Sequence, residues 1–311
     1  MQRVTVSRAS KMPQSDTNPA QLRVALVCPR MTPADPRRNL LTLRGWAERA
    51  AEQLADIVVF PECFISGYAE SFMIDEGYVT AEQVVSTAEP VPGPSTDTLV
   101  ALSRELGICI CAGLLEKTAD GNFNTQVLVD PDQGLLGRYR KVQVGPKETW
   151  LCSGGSEWPV FNVRGMPTGM LLCRDKSHPE AARILALNGA QLLLIPHSST
   201  VVPEMEFRTW SLKLCVARAM ENACYVLVNN NIYDCPMTHG RSQAGYSYAI
   251  DPYGEVLYCD EGPPDTEKMT VVTVDGAVVA ARRALEGPGF NLDTRRPETY
   301  ARLTEGIRNE Q

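Results

Sequence analysis

Apolar residues along this chain alternate between short runs typical of buried strands and longer stripes typical of amphipathic helices. Leu22–Cys28 is an apolar run, and residues 39–54 place their apolar side chains at steps of three and four, as on one face of a helix. The next run, Asp56–Pro61, ends in a proline, which cannot continue a central ladder. The pattern predicts strand, helix and strand, with Glu62 just beyond the carboxyl end of the second strand.

The same alternation continues along the chain without an internal repeat or a low-complexity linker. Pro179 suits the first turn of a helix, Gly189 suits a helix C-terminus, and Asp251–Gly254 is typical of a turn. The interleaving predicts a mixed α/β fold with helices covering sheet. The predicted helices are 95–106, 179–188 and 204–222, the strands are 108–114, 125–130, 134–141, 168–173, 191–195 and 225–229, and 144–158 is a loop-rich segment.

Composition and charge narrow the possible functions. The 311 residues are 44% hydrophobic and 22% charged, which excludes a disordered or fibrous chain. A formal charge of −7 disfavours nucleic acid and anionic membrane surfaces as partners. Apolar runs such as Leu192–Ile195 are far shorter than the ~20 residues that span a bilayer. We expect a disordered tail over residues 1–20, one domain over residues 21–281, and a small-molecule substrate.

Cysteine and histidine usage predicts neither disulfides nor a metal site. Most of the ten cysteines lie in apolar strand-like runs, which indicates reduced thiols in a cytoplasmic protein. His178, His197 and His239 lack the paired spacing of metal ligands. The chain contains no GxGxxG, P-loop or GxSxG motif, so nothing in it favours dinucleotide binding, nucleoside triphosphate binding or serine-hydrolase chemistry.

Three polar residues stand at the ends of predicted strands: Glu62, Lys141 and Cys173. Strand ends on one edge of a sheet converge on a crevice. There a carboxylate could take the thiol proton and an ammonium could stabilise an oxyanion, which is the chemistry of acyl transfer through a thioester. Each residue alone also fits a core thiol or a surface charge, and spacing does not decide between these interpretations.

The motifs around these residues resemble the carbon–nitrogen hydrolase (nitrilase-like) family over residues 22–305. The resemblance rests on FPECFISGY, YRKVQV, GMLLCRDKSHPEAARILALNGAQLLLIP, ARAMENACYVLVNN and RRPETY. It implies a Glu–Lys–Cys triad of Glu62, Lys141 and Cys173 and no cofactor. It also implies a four-layer αββα sandwich that pairs with a second subunit to give an αββα–αββα dimer.

The resemblance further implies a second glutamate that supports the triad lysine and positions the substrate amide. Glu148 in KETWLCSGG fits that position, with Glu157 the weaker candidate; a solvated loop acid is the alternative. Arg174, directly after the nucleophile, departs from the family pattern. Its backbone N–H would complete the oxyanion hole. Its side chain would either favour the thiolate or, as we prefer, form a salt bridge with a buried acid.

Candidate substrate-binding residues are Arg174, Lys176, His197 and Ser198. Relatives that act on N-carbamoyl amino acids often place two arginines where Lys176 and Ser177 stand, so a single lysine leaves an acidic substrate possible without indicating one. His197 and Ser198 follow a predicted strand and could line the pocket, although a plain loop histidine fits as well.

The function expected from the sequence is hydrolysis of a non-peptide carbon–nitrogen bond in a small amide or N-carbamoyl compound, with release of ammonia. The alternatives are a nitrilase using the same thiol, a non-catalytic binding subunit, and an acyltransferase. The segment 282–311, rich in arginine and poor in apolar residues, is expected to become ordered across the interface of a homodimer or higher homo-oligomer. Packing back on its own subunit is the alternative.

Overall fold

The computed structural model describes residues 20–201, 207–238, 240–285 and 290–305. The tail expected over residues 1–20 lies outside these ranges except for its last residue. The strands, in chain order, are β1 (Gln21–Cys28), β2 (Arg30–Met31), β3 (Ile57–Val59), β4 (Cys109–Thr118), β5 (Gly121–Asp130), β6 (Gly134–Arg140), β7 (Val160–Val163), β8 (Met166–Met170), β9 (Leu192–Pro196), β10 (Tyr225–Asn229), β11 (Ile232–Tyr233), β12 (Ser247–Ile250), β13 (Val256–Cys259) and β14 (Lys268–Asp275). The α-helices are α1 (Pro36–Glu52), α2 (Ser71–Asp75), α3 (Ala81–Ser86), α4 (Pro94–Leu106), α5 (Pro179–Leu187), α6 (Phe207–Asn222) and α7 (Gly276–Ala284).

Two six-stranded sheets form the body of the fold, and each contains three parallel strands. The first sheet has the order β14-β1-β3-β4-β5-β6, with β1, β3 and β4 parallel. The second has the order β13-β12-β10-β9-β8-β7, with β8, β9 and β10 parallel. Helices cross over between the parallel strands, as such connections require. The carboxyl ends of each parallel set therefore lie along one edge of its sheet.

The apolar side chains divide into three clusters that separate four layers. One cluster lies between the sheets and includes Ile57, Cys109, Met170 and Leu194. A second packs α1 and α4 on the outer face of the first sheet, and a third packs α5 and α6 on the outer face of the second. The strands alternate between inner and outer faces, so both faces of each sheet are buried.

Most of the predicted elements are confirmed, with shifted ends. The helix predicted from residue 39 begins at Pro36, because the Asp35 side chain caps it by accepting a hydrogen bond from the Arg38 N–H at 3.0 Å. The strand predicted over 168–173 ends at Met170, because a 3₁₀ turn occupies Cys173–Ser177. The start of the helix predicted from residue 204 lies outside the described residues.

The C-terminal segment follows α7, which crosses the expected domain boundary at 281/282 and ends at Ala284. Residues 290–305 form short 3₁₀ turns and are mostly exposed. Leu292 packs against the cluster beneath α5 and α6 of the same chain. None of the helices in the described ranges is both long and apolar enough to cross a bilayer.

Candidate active site

The three strand-end residues meet at one edge of the two sheets. Glu62 follows β3, and Lys141 directly follows β6, which runs in the same direction as β4. The Lys141 Nζ lies 2.8 Å from Glu62 Oε1 and 2.7 Å from Glu148 Oε1. Lys141 and Glu62 are each 1% exposed and Glu148 is 8% exposed. The structure thus holds one buried ammonium between two carboxylates.

Glu62 is held from several directions. Its Oε1 accepts hydrogen bonds from Lys141 and from Asn124 Nδ2 at 2.8 Å, and its Oε2 accepts one from the Ser198 N–H at 3.1 Å. Its backbone N–H donates to the His197 carbonyl at 3.2 Å. Ser198 and His197 directly follow β9 of the second sheet, so these bonds join the two sheets at the site.

Glu148 supports Lys141 from the loop between β6 and β7. Both of its oxygens accept from Lys141 Nζ, while Tyr68 Oη donates to Oε1 at 2.6 Å and the Gly145 N–H donates to Oε2 at 2.8 Å. Glu148 therefore contacts Lys141 directly, and its role in supporting the lysine and positioning a substrate amide stays a prediction. Glu157, the weaker candidate, instead lines a separate cleft beside Arg140.

The two glutamates have opposite pKa shifts although they share one lysine. Burial raises the pKa of Glu62, and the negative charge of Glu148 adds to this, while Lys141 opposes it. Burial also acts on Glu148, but Lys141 and the hydrogen bonds from Tyr68 and Gly145 outweigh it and lower its pKa. Carboxyls whose environments separate their pKa values suit different roles: Glu62 can exchange a proton, and Glu148 stays ionised.

Cys173 opens the 3₁₀ turn after β8 in a strained backbone conformation, with φ of +40°. The buried Asp175 carboxylate fixes this turn. Its Oδ2 accepts from Tyr139 Oη at 2.6 Å and from the Leu172 N–H at 2.8 Å, and its Oδ1 accepts from the Gln143 N–H at 2.8 Å. A non-glycine residue at positive φ persists only where its surroundings determine it, and such strain concentrates at functional sites.

The environment of the Cys173 thiol keeps it protonated. Burial raises its pKa to about 12, although the positive charge of Lys176 acts against this. A thiol with this pKa is neutral near pH 7, so a nucleophilic role requires a base.

A cavity of about 360 Å³ opens beside these residues. Its wall includes Lys141, Glu148, Cys173, Arg174 and Ser198, and Glu70 and Lys147 also line it. This volume suits a small organic molecule. The wall of this cavity therefore carries a thiol, an ammonium and a carboxylate.

The Carbon-nitrogen hydrolase family model matches residues 23–284. The chain belongs to the carbon–nitrogen hydrolase family. It is 30% identical over 270 residues to a protein named nitrilase from Pyrococcus abyssi, covering 86% of this chain and 95% of that protein. It is 30% identical over 228 residues to an (R)-stereoselective amidase from a Pseudomonas species, covering 73% and 76%.

The fold of this carbon–nitrogen hydrolase is also that of a solved amidase from Nesterenkonia sp. AN1. The two share 28% identity and a TM-score of 0.71, with 91% of this chain and 99% of the amidase covered. A Glu-to-Gln variant of that amidase carries the acetamide moiety of fluoroacetamide covalently on its active-site cysteine. The mixed α/β fold expected from the sequence is thereby confirmed.

The candidate substrate-binding residues of this family member divide into two pairs. Arg174 and Ser198 line the cavity, whereas Lys176 and His197 are buried and do not line it. Lys176 Nζ donates instead to the Cys173 carbonyl at 3.1 Å. The His197 ring lies beside that of Tyr246, with centroids 6.1 Å apart, and burial lowers its pKa well below the usual range.

The salt bridge preferred for Arg174 is not formed with any acid in the described part of the chain. Arg174 is exposed, and it has no ion pair with any residue that the structure describes. Asp175, the adjacent buried acid, already has its oxygens occupied by Tyr139 and two backbone N–H groups. The aliphatic part of Arg174 lies over Gly145, where an added Cβ would stand 3.6 Å from Arg174 Cδ.

Sequence reasoning missed Tyr68, Asn124 and Tyr139, whose side chains hold Glu148, Glu62 and Asp175. Tyr68 is the last residue of the motif around Glu62, and Tyr139 is the first residue of the motif around Lys141, so both could have been named as candidates from the motifs. Asn124 lies on β5 outside every motif. In the described ranges, which leave out His239, no cluster of His, Cys, Asp and Glu could hold a metal ion.

Proposed function

We propose that this chain hydrolyses the carbon–nitrogen bond of small linear amides through a thioester on Cys173. One observation carries the proposal: Lys141 is held between Glu62 and Glu148 in a cavity whose wall also carries Cys173. The family membership and the covalent adduct on the cysteine of the Nesterenkonia amidase support it.

In the acylation step, Glu62 accepts the Cys173 thiol proton while the sulfur attacks the amide carbon. Burial raises the pKa of Glu62, and a carboxylate with a higher pKa is a stronger base towards the Cys173 thiol. The sulfur–carbon bond forms as the carbonyl π pair moves to oxygen. The Lys141 ammonium and the Arg174 N–H are the proposed donors to that oxyanion.

Collapse of the tetrahedral intermediate expels ammonia after Glu62 returns the proton to the leaving nitrogen. The acyl group remains on Cys173 as a thioester. Glu62 then takes a proton from water as the water oxygen attacks the thioester carbon, and the sulfur leaves with that proton restored to it. Glu148 remains ionised throughout and keeps Lys141 charged and oriented.

Hydrolysis of a nitrile or of an N-carbamoyl compound would use the same catalytic side chains. A nitrile would add the thiol to give a thioimidate, and the name of the Pyrococcus relative favours this second candidate. An N-carbamoyl compound would transfer its ureido carbonyl instead. Arg174 and Ser198, which both line the cavity, are proposed to contact the distal part of the substrate.

The test is a screen of simple amides, N-carbamoyl amino acids and matched nitriles, scored by ammonia release and by product mass. We expect ammonia from amides at rates well above those from the matched nitriles, and none with Cys173→Ala. Turnover of nitriles alone would transfer the assignment to the second candidate. Turnover that persists in Cys173→Ala would reject the thioester mechanism.

We also propose a homodimer working in a reducing compartment such as the cytoplasm. All ten cysteines are free, which supports reducing surroundings. The exposed segment 290–305 supports an interface beside α5 and α6. Light scattering should give a dimer for the full chain and a smaller species for a chain ending at Leu285, the residue after α7. An unchanged dimer after truncation would remove the segment from the interface.

A further inference from the structure

The peptide bond between Cys173 and Arg174 carries an N–H and a carbonyl that both bear on the oxyanion. Its N–H belongs to Arg174 and is the proposed backbone donor to the oxyanion. Its carbonyl belongs to Cys173. In a planar trans peptide these two groups point in opposite directions, so whatever holds the carbonyl also sets the direction of the N–H. The Arg174 N–H makes no hydrogen bond to any residue in the described ranges and is available to a ligand.

Lys176 holds that carbonyl. Its Nζ donates to the Cys173 oxygen at 3.1 Å, and the residue is 1% exposed. The Nζ also lies 5.7 Å from the ring centroid of Trp210 on α6. Cys173 and Arg174 line the cavity and Lys176 does not, so its ammonium holds this peptide without being part of the cavity wall.

The backbone of Lys176 is fixed as well. Arg218 Nε donates to the Lys176 carbonyl at 2.9 Å, and the Arg218 guanidinium pairs with Glu221 at 2.9 Å. Both residues belong to α6, so this helix anchors the turn that carries the nucleophile. A buried ammonium is costly to desolvate, and a charge-assisted bond to a carbonyl offsets part of that cost.

We propose that Lys176 is a positioning residue for the oxyanion hole, orienting and polarising the Cys173–Arg174 peptide so that its N–H faces the developing oxyanion. A hydrogen bond accepted by a peptide carbonyl strengthens the donor on the same peptide, and a charged donor does so more than a neutral one. The proposal rests on Cys173 being the nucleophile of the proposed function.

The same positive charge also acts on the Cys173 thiol, so the test must separate thiol reactivity from oxyanion stabilisation. Acylation by p-nitrophenyl acetate passes through an oxyanion, whereas alkylation by iodoacetamide is a displacement without one. The ratio of the two second-order rate constants at Cys173, with Cys173→Ala as background, measures the oxyanion contribution alone.

In Lys176→Met the ratio of acylation to alkylation should fall by about 10-fold or more, and Lys176→Arg should restore part of it. Lys117→Met, which removes an exposed cation near the end of β4 and outside the cavity wall, should leave the ratio unchanged. Should Lys176→Met fail to fold, Lys176→Gln, which keeps a donor without charge, should show a smaller fall.

An unchanged ratio in the folded variants, or equal losses of acylation and alkylation, would overturn the role of Lys176. Mass spectrometry of the unsubstituted chain distinguishes the two levels of failure. If that chain forms no acetyl adduct on Cys173, the proposed function itself fails. If it forms the adduct and the ratio is insensitive to residue 176, only this inference fails.

Discussion

The two sheets contribute unlike halves to the candidate site. The first sheet supplies Glu62, Lys141 and, through the following loop, Glu148; these side chains are buried and joined by hydrogen bonds of 2.7–2.9 Å. The second sheet supplies Cys173, which is half-buried, has φ of +40° and lies in the cavity wall. One half is a fixed arrangement of charge, and the other presents a reactive atom from a strained turn.

This difference indicates how the work of catalysis is divided. Charges that are fixed before the reaction need no reorganisation when the oxyanion forms, so they stabilise the transition state efficiently. A nucleophile must be accessible, and its neighbours, including Asp175, hold it in place through the backbone. Substitutions in the two halves should therefore fail in different ways.

The largest effect is expected from Cys173→Ala. Removal of the proposed nucleophile should lower kcat by about 10⁴-fold or more, because Cys173 is the one thiol among the described residues that line the cavity. The side chain is small, so the free energy of unfolding should change by less than about 1 kcal/mol. Steady-state ammonia release and thermal unfolding measure the two quantities. An acyl adduct trapped on Cys63 or Cys152 of the unsubstituted chain would contradict the assignment.

Substitutions in the charged half should reduce rate without removing the nucleophile. Glu62→Gln and Lys141→Met should each lower kcat by about 10²-fold or more, since one removes the base and the other an oxyanion donor. Glu62→Gln should still react covalently at Cys173 with fluoroacetamide, as the Glu-to-Gln variant of the Nesterenkonia amidase does. Near-normal turnover at saturating substrate in either variant would remove that residue from the triad.

The sequence predicted the elements and the strand-end residues better than it predicted the contacts around them. Apolar periodicity reports burial, so it located β3 and the turn at Cys173, and with them the positions of Glu62 and Cys173 in the fold. It carries no information on which distant side chain fills a hydrogen bond. The partnership of Asn124 with Glu62 spans 62 positions along the chain, and only the register of β5 in the sheet brings these residues together.

Charged residues near the nucleophile show the same limit. Arg174 and Lys176 are two positions apart, and the sequence placed both among the substrate-binding candidates. The 3₁₀ turn directs them differently, leaving Arg174 exposed at the cavity and Lys176 buried against the Cys173 carbonyl. Side-chain direction in so short a turn depends on the helix packed against it, here α6.

Glu148→Gln tests, through the pH profile, whether the charge of Glu148 raises the pKa of Glu62. The negative charge of Glu148 contributes to the raised pKa of Glu62, so its removal should lower the pKa of Glu62. Because Glu62 must be ionised to act as base, the acid limb of kcat/KM should move to lower pH. We also expect kcat to fall by about 10-fold, because Glu148 acts through Lys141. An acid limb that stays in place or moves to higher pH would contradict this coupling.

The smallest effect is expected from Tyr68→Phe, which removes one of the hydrogen bonds to Glu148 and keeps the ring. Tyr68 Oη donates to Oε1 at 2.6 Å, and burial raises the pKa of the tyrosine well above its usual value, so it is a donor at every assay pH. A hydrogen bond to a charged group contributes about 1.5–3 kcal/mol, but Lys141 and the Gly145 N–H still hold the carboxylate. These remaining hydrogen bonds should keep Glu148 in place, so most of the lost free energy should not appear as a lower rate.

We expect Tyr68→Phe to lower kcat by about 3-fold to 10-fold. The effect is small because Glu148 affects the oxyanion only indirectly, by orienting Lys141. Tyr248→Phe is the matched control, because it removes a buried hydroxyl that contacts Ser211 away from the cavity. That variant should lose stability without losing kcat. The ratio of kcat loss to stability loss could instead be the same in both variants. The Tyr68 hydroxyl would then contribute to folding alone, and Lys141 and the Gly145 N–H would be enough to keep Glu148 in place.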